Sequence, residues 1–172
     1  MKILQRNLRG ISLVELLLYV TVLSVVLLML ASFLIFLVSS RIKNQSITDV
    51  NQQGLQIMQL MTQTIRNAKT IDFPGVGATS TSLSMTVNDS FLSPTVFDST
   101  GGAVTIKEGS NTVIPLTNSH VIVSGMVFQN ISSTSSTDRV VRISFTVDHI
   151  NTNGRNENSY TKSFTGSATL RQ

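Results

Sequence analysis

The chain has 172 residues, a length that suits one folded domain together with a membrane anchor. It contains no cysteine, which excludes disulfides, thiolate metal sites and a cysteine nucleophile. The net charge of +4 does not indicate a nucleic-acid-binding surface, because three of the thirteen basic residues lie among the first ten residues. The rest of the chain is nearly neutral, so we expect no direct binding of nucleic acid.

Residues 16–38 carry no charge and predict a single transmembrane helix. At 1.5 Å per residue they extend over about 35 Å, against about 30 Å for the hydrocarbon core of a bilayer. A cleaved secretory signal fits less well, because its apolar region is shorter. Three basic residues precede the span and favour a cytoplasmic N-terminus, which places the bulk of the chain outside.

Residues 39–72 are predicted to continue this helix in an amphipathic form. Their apolar stripe has a helical spacing, with Gly54 in the one turn that lacks an apolar side chain, and consists of Ile47, Val50, Ile57, Met61 and Ile65. We expect the stripe to pack against the domain that follows.

Residues 73–172 alternate apolar with polar side chains and predict a β-rich domain. Strands are expected around residues 83–87, 103–106, 112–116, 120–129, 143–147 and 160–170, with a turn at 108–111 and a hairpin loop at 151–158. A sheet packed on one long helix gives an α+β fold, with a C-terminal antiparallel β-sheet domain.

The domain offers no recognisable catalytic or metal-binding pattern. His120 and His149 have no ligating residue at a suitable spacing, and Asp148 points to the opposite face of its strand from His149. Residues 149–160 imitate part of a calcium loop but lack its first and last acidic ligands, so they predict an Asn-Gly turn. The run from Ser132 to Thr137 is expected to be a solvated loop. We therefore expect no catalytic residue, no metal and no cofactor.

Glu15 is the exception in the apolar region, because a carboxylate within a bilayer is costly unless it lies near the headgroups or finds a partner. One interpretation is an interfacial residue of a plain signal anchor. In the other, cleavage after Gly10 gives Ile11 a charged amine, which pairs with Glu15 of a neighbouring copy in a bundle of staggered helices.

The basic leader, Gly10, Ile11, the Ser12–Glu15 segment and the long apolar run closely resemble the signal of type IV prepilins and pseudopilins. The resemblance implies a pilin-like fold, cleavage between Gly10 and Ile11 by prepilin peptidase, N-methylation of Ile11, and assembly through Ile11 and Glu15. It also implies a leader at 1–10, a transmembrane and filament-core helix at 11–38, an amphipathic continuation at 39–72 and an extracytoplasmic head at 73–172.

The implied partners are other pilins or pseudopilins, prepilin peptidase, an inner-membrane assembly platform and the lipid bilayer. The subunit would first be a single-pass protein of the cytoplasmic membrane, with its head outside, and then part of an extracytoplasmic filament, at or near its tip.

Residues 52–73 and 164–171 further resemble minor pilins of the W class and minor pseudopilins of the J type, which initiate assembly. Pilus biogenesis, type II secretion and DNA uptake all remain open. An unprocessed, membrane-anchored surface adhesin or binding module is the alternative, and an anchored enzyme is a third possibility for which no catalytic group is visible.

Overall fold

A computed structural model describes residues 12–133, 139–152, 154 and 156–170. One helix, α1 (Leu13–Asn67), is followed by strands β1 (Ala68–Phe73), β2 (Thr79–Ser80), β3 (Leu83–Val87), β4 (Thr95–Thr100), β5 (Ala103–Glu108), β6 (Ile114–Pro115), β7 (Val121–Asn130), β8 (Val140–His149) and β9 (Thr161–Thr169). A short 3₁₀ helix at Asn156–Asn158 lies between β8 and β9. The expected α+β class is confirmed. The chain divides into two compact units, Met1–Arg41 and Ile42–Gln172.

Helix α1 ends at Asn67, so the expected helical range of 39–72 is wrong for residues 68–72. These residues belong to β1, which pairs antiparallel with β3 through Ala68 opposite Val87 and Ile71 opposite Met85. The apolar stripe of the helix already stops at Ile65. Pairing with β3 satisfies the backbone groups that a further helical turn would otherwise have satisfied.

The buried stripe of α1 is confirmed from Val50 onward and consists of Val50, Gly54, Ile57, Met61 and Ile65. Its first member differs from the expectation, because Ser46 is buried whereas Ile47 is only half-buried. Positions 46, 50 and 54 are each four residues apart and therefore lie on the same face of the helix. Position 47 is rotated away from that face. The Ser46 hydroxyl donates to the Ile42 carbonyl, so its burial leaves no polar atom unsatisfied.

The strands form two antiparallel sheets rather than the single sheet predicted. One has the order β1-β3-β4-β5-β6 and the other the order β2-β7-β8-β9. A single hydrophobic core takes side chains from α1, such as Ile57, from the first sheet, such as Phe97, and from the second, such as Phe145. Hydrophobic alternation indicates which face of a strand is buried but not which strands pair.

Most of the expected strands are present, but β1, β2 and β4 were not anticipated. Strands β5 and β6 surround the expected turn, where the Asn111 amide donates to the Glu108 carbonyl. In β7 the buried positions change phase at a bulge between Ser124 and Val127, where Gly125 has a φ of 59°. A glycine adopts this left-handed conformation without the steric cost that a side chain would bring.

Ser132 is buried, so the expectation that it lies in a solvated loop is wrong. Its hydroxyl donates to the Asn130 side-chain oxygen at 2.6 Å and accepts the Val140 amide at 2.9 Å. The Asn130 side-chain amide in turn donates to the Pro74 carbonyl. This network joins the start of β8 to the segment after β1. A run of small polar residues in the sequence does not reveal such a connection. Thr134–Thr137 lie outside the described residues.

Gly54 lets strand β9 approach the helix closely. A Cβ atom at this position would lie 2.1 Å from Cζ of Phe164, far inside van der Waals contact. The Phe164 ring stacks on Phe145 with centroids 5.5 Å apart. Nearby, Lys162 Nζ donates to the Asn51 side-chain oxygen at 2.7 Å. The space that a side chain at position 54 would occupy is therefore filled by an aromatic ring from β9.

We expect Gly54→Ala to lower the free energy of unfolding of the head by about 1–3 kcal/mol, the usual cost of overpacking a filled core. Alanine favours a helix over glycine by only about 1 kcal/mol, which does not offset the displaced Phe164 ring. The measurement is urea unfolding of the full chain in detergent, followed by circular dichroism. Gly75→Ala is the matched control, because nothing lies within 4 Å of its Cβ position. A midpoint for Gly54→Ala equal to that of the control would contradict the prediction.

Candidate membrane and assembly segment

The first part of α1 exposes its apolar side chains on every face. Residues 12–38 are all exposed, and the exposed fraction of their large hydrophobic side chains ranges from 41% at Leu37 to 80% at Leu13. The helix is long and apolar enough to cross a membrane. Such a surface is unfavourable in water and favourable among lipid chains or other apolar helices.

Three hydroxyl groups in this segment bond back to the helix itself. Thr21 donates to the Leu18 carbonyl, Ser24 to the Thr21 carbonyl and Ser32 to the Leu28 carbonyl, at 2.8–2.9 Å. Side chains that bond back to their own helix do not leave a free donor in an apolar environment. These hydroxyls therefore do not prevent the segment from lying in a bilayer.

Glu15 lies in the first turn of α1. Ser12 immediately precedes the helix, and its carbonyl accepts the Leu16 amide at 3.0 Å. A carboxylate here is favoured by the positive end of the helix dipole and by amide groups that lack an intrahelical partner. Gly10 and Ile11, the expected cleavage and methylation sites, lie outside the described residues.

Tyr19 contacts Glu15, a feature that the sequence interpretation missed. The phenolic hydroxyl donates to Oε1 of Glu15 at 3.1 Å. The two residues are four positions apart and therefore lie on the same face of the helix. This spacing was readable in the sequence and could have indicated the contact.

The two histidines of the head lie beside one small recess of about 150 Å³, which is also lined by Asp49 and Asn158. Nδ1 of His149 is 3.0 Å from the Asn158 carbonyl, and because a carbonyl only accepts, Nδ1 is the donor. Nε2 of His149 lies 3.8 Å from Oδ2 of Asp49, a helical residue. Among the described residues, no three ligating side chains are grouped so as to hold a metal ion.

Asp148 takes part in a separate set of contacts from its neighbour His149. Its carboxylate accepts hydrogen bonds from the hydroxyls of Ser124 and Thr161. Asp148 therefore ties β8 to the strands on either side of it, and the adjacent aspartate and histidine do not act on each other. In the loop that follows, Gly154 has a φ of 63°, as a tight turn requires, while Asn153 lies outside the described residues.

An open cleft of about 410 Å³ lies between the last turns of α1 and the loop after β3. Leu60, Val87 and Leu92 supply apolar walls, and Asp89 and Glu108 supply carboxylates. The hydroxyls of Thr64 and Thr95 also line the cleft, and they donate to the backbone carbonyls of Leu60 and Leu92.

Comparisons of the chain with protein-family models, characterised proteins and solved structures returned no match. The apolar part of α1 and its first turn are the features of the chain from which a function can be inferred.

We expect Leu27→Arg to impair membrane integration, because Leu27 is the central residue of the uncharged segment 16–38. An arginine at the centre of a transmembrane helix costs about 2.5–3.5 kcal/mol on insertion scales. The measurement is the fraction of full-length chain that stays in membranes after alkaline carbonate extraction. Gln52→Arg, at an exposed position of α1 outside that segment, is the control. Equal retention of the two variants would contradict the prediction.

Proposed function

We propose that the protein is a structural subunit of a type IV pilus-like filament, a minor pilin or pseudopilin, and not an enzyme. The observation that carries the proposal is a single carboxylate, Glu15, in the first turn of an exposed helix that has no other charge up to Val38. The carboxylate lies four residues after Ile11 and five after Gly10, as in the prepilin signal that the sequence resembles.

Maturation would prepare this segment for assembly. Prepilin peptidase would cut between Gly10 and Ile11, remove the basic leader 1–10 and leave Ile11 to be N-methylated. A methylated amine keeps its positive charge. In a bundle of apolar helices, where the dielectric constant is low, an amine and a carboxylate attract far more strongly than in water.

Assembly would then follow from the staggered pairing of helices. The amine at Ile11 of one subunit would meet Glu15 of another, while the apolar surface of residues 16–38 moves from lipid to the filament core. The head would lie outside the cytoplasmic membrane throughout, and the partners would be other pilins and the inner-membrane assembly platform. The resemblance to W-class and J-type subunits supports a low-copy role in initiation.

The intact mass and N-terminal sequence of the protein from the membrane fraction of its native host test this proposal. We expect a chain that begins at Ile11 with one added methyl group, and we expect Gly10→Leu to yield a chain ten residues longer, because a bulky residue before the cut blocks cleavage. Gly10→Ala is the control for substitution at this site. Normal processing of Gly10→Leu would exclude this cleavage site. A wild-type chain that begins at Met1 in the presence of the peptidase would favour the anchored binding module.

We expect Glu15→Leu to enter the membrane at least as well as the wild type, since it removes a charge from an apolar segment, and to be incorporated poorly into filaments. The measurement compares the amount of the subunit in sheared filaments with that in membranes. Val14→Leu, an exposed apolar exchange in the same helical turn, is the control. Wild-type incorporation of Glu15→Leu would remove the proposed pairing.

A further inference from the structure

We propose that Tyr19 is a positioning residue for Glu15, whose hydroxyl holds the carboxylate ready to receive the amine of a neighbouring subunit. This inference rests on the proposed function. It concerns the positioning of the carboxylate at the same site, and it assigns a role to a residue that the prepilin signal does not include.

The contact that supports it is local and directional. The Tyr19 hydroxyl donates to Oε1 of Glu15 at 3.1 Å, from a position one helical turn further along α1. A glutamate side chain has three rotatable bonds, and a hydrogen bond at this distance restricts them. The carboxylate is thereby held beside Tyr19 on one face of the helix.

The chemistry of the pair leaves room for an amine. A carboxylate has two oxygens with about four acceptor sites, and the phenol occupies one of them. The phenol is a neutral donor, so an ammonium group can bind the other oxygen without displacing it. Before assembly, the same hydrogen bond lowers the cost of placing the carboxylate among lipid chains.

Three other hydroxyls of the segment are engaged elsewhere. Thr21, Ser24 and Ser32 each donate to a backbone carbonyl of α1. Within the described part of the apolar segment, Tyr19 is the side chain that hydrogen-bonds Glu15. More than half of the Tyr19 side chain is exposed, which leaves the pair accessible to another helix.

The experiment separates the hydroxyl from the aromatic ring. Tyr19→Phe keeps the ring and removes the donor, and Tyr19→Gln removes the ring but keeps a donor that reaches a carboxylate four residues away. We expect Tyr19→Phe to lower incorporation into filaments by about three- to tenfold, the factor for one lost hydrogen bond. We expect Tyr19→Gln to retain more incorporation than Tyr19→Phe. Thr21→Val is the control, because it removes a hydroxyl that bonds to the backbone.

Each variant is first shown by mass to begin at Ile11, so that the comparison concerns assembly and not cleavage. Wild-type incorporation of Tyr19→Phe, or a smaller loss with Tyr19→Phe than with Tyr19→Gln, would overturn the inference, because the ring and not the donor would then matter. Glu15→Leu is measured in the same series. If Glu15→Leu is incorporated poorly while Tyr19→Phe is incorporated normally, only the proposed role of Tyr19 fails. If Glu15→Leu assembles normally, the proposed pairing fails together with the inference.

Discussion

The packing of the head depends on the absence of a side chain at Gly54. The helix carries a polar face and a narrow buried stripe, and at this turn the ring of Phe164 occupies the space that any other residue would fill. Because Phe164 also stacks on Phe145, the same contact joins the helix to two neighbouring strands of the second sheet. A second close approach, of Gly166 to the Met58 side chain, lies along the same strand. Small residues here give the strand and helix their contact distance, and the larger side chains around them complete the core.

Local patterns in the sequence were sufficient for much of this fold. The uncharged segment, the helical stripe from Val50 and the alternation in β8 each depend on neighbours that are close in sequence, so the period of hydrophobic residues reveals them. The division into two sheets depends on strand partners that are far apart in the chain. The network that buries Ser132 likewise extends through Asn130 to the distant Pro74. The identity of a polar residue such as Ser132 does not show whether it is buried in such a network or exposed in a solvated loop.

The candidate functional residues also divide into those that local sequence reveals and those that depend on distant contacts. Glu15 was evident as a lone carboxylate in an apolar run, and Tyr19 could have been found from helical spacing alone. The contact between Asp49 and His149 could not, because it joins the helix to a strand far along the sequence. The roles of Gly10 and Ile11 depend on a chemical step that precedes the mature chain, and they remain predictions from the resemblance.

The late position of β9 in the sequence has a consequence for biosynthesis. The Lys162–Asn51 bond beside the Phe164 contact joins residues 111 positions apart. A ribosome therefore completes the whole helix long before the strand that covers its stripe exists. During that interval the stripe is uncovered on the nascent chain, and the core around it is complete only when β9 has been made. Contacts between such distant residues form slowly. Completion of the core is therefore tied to the synthesis of β9.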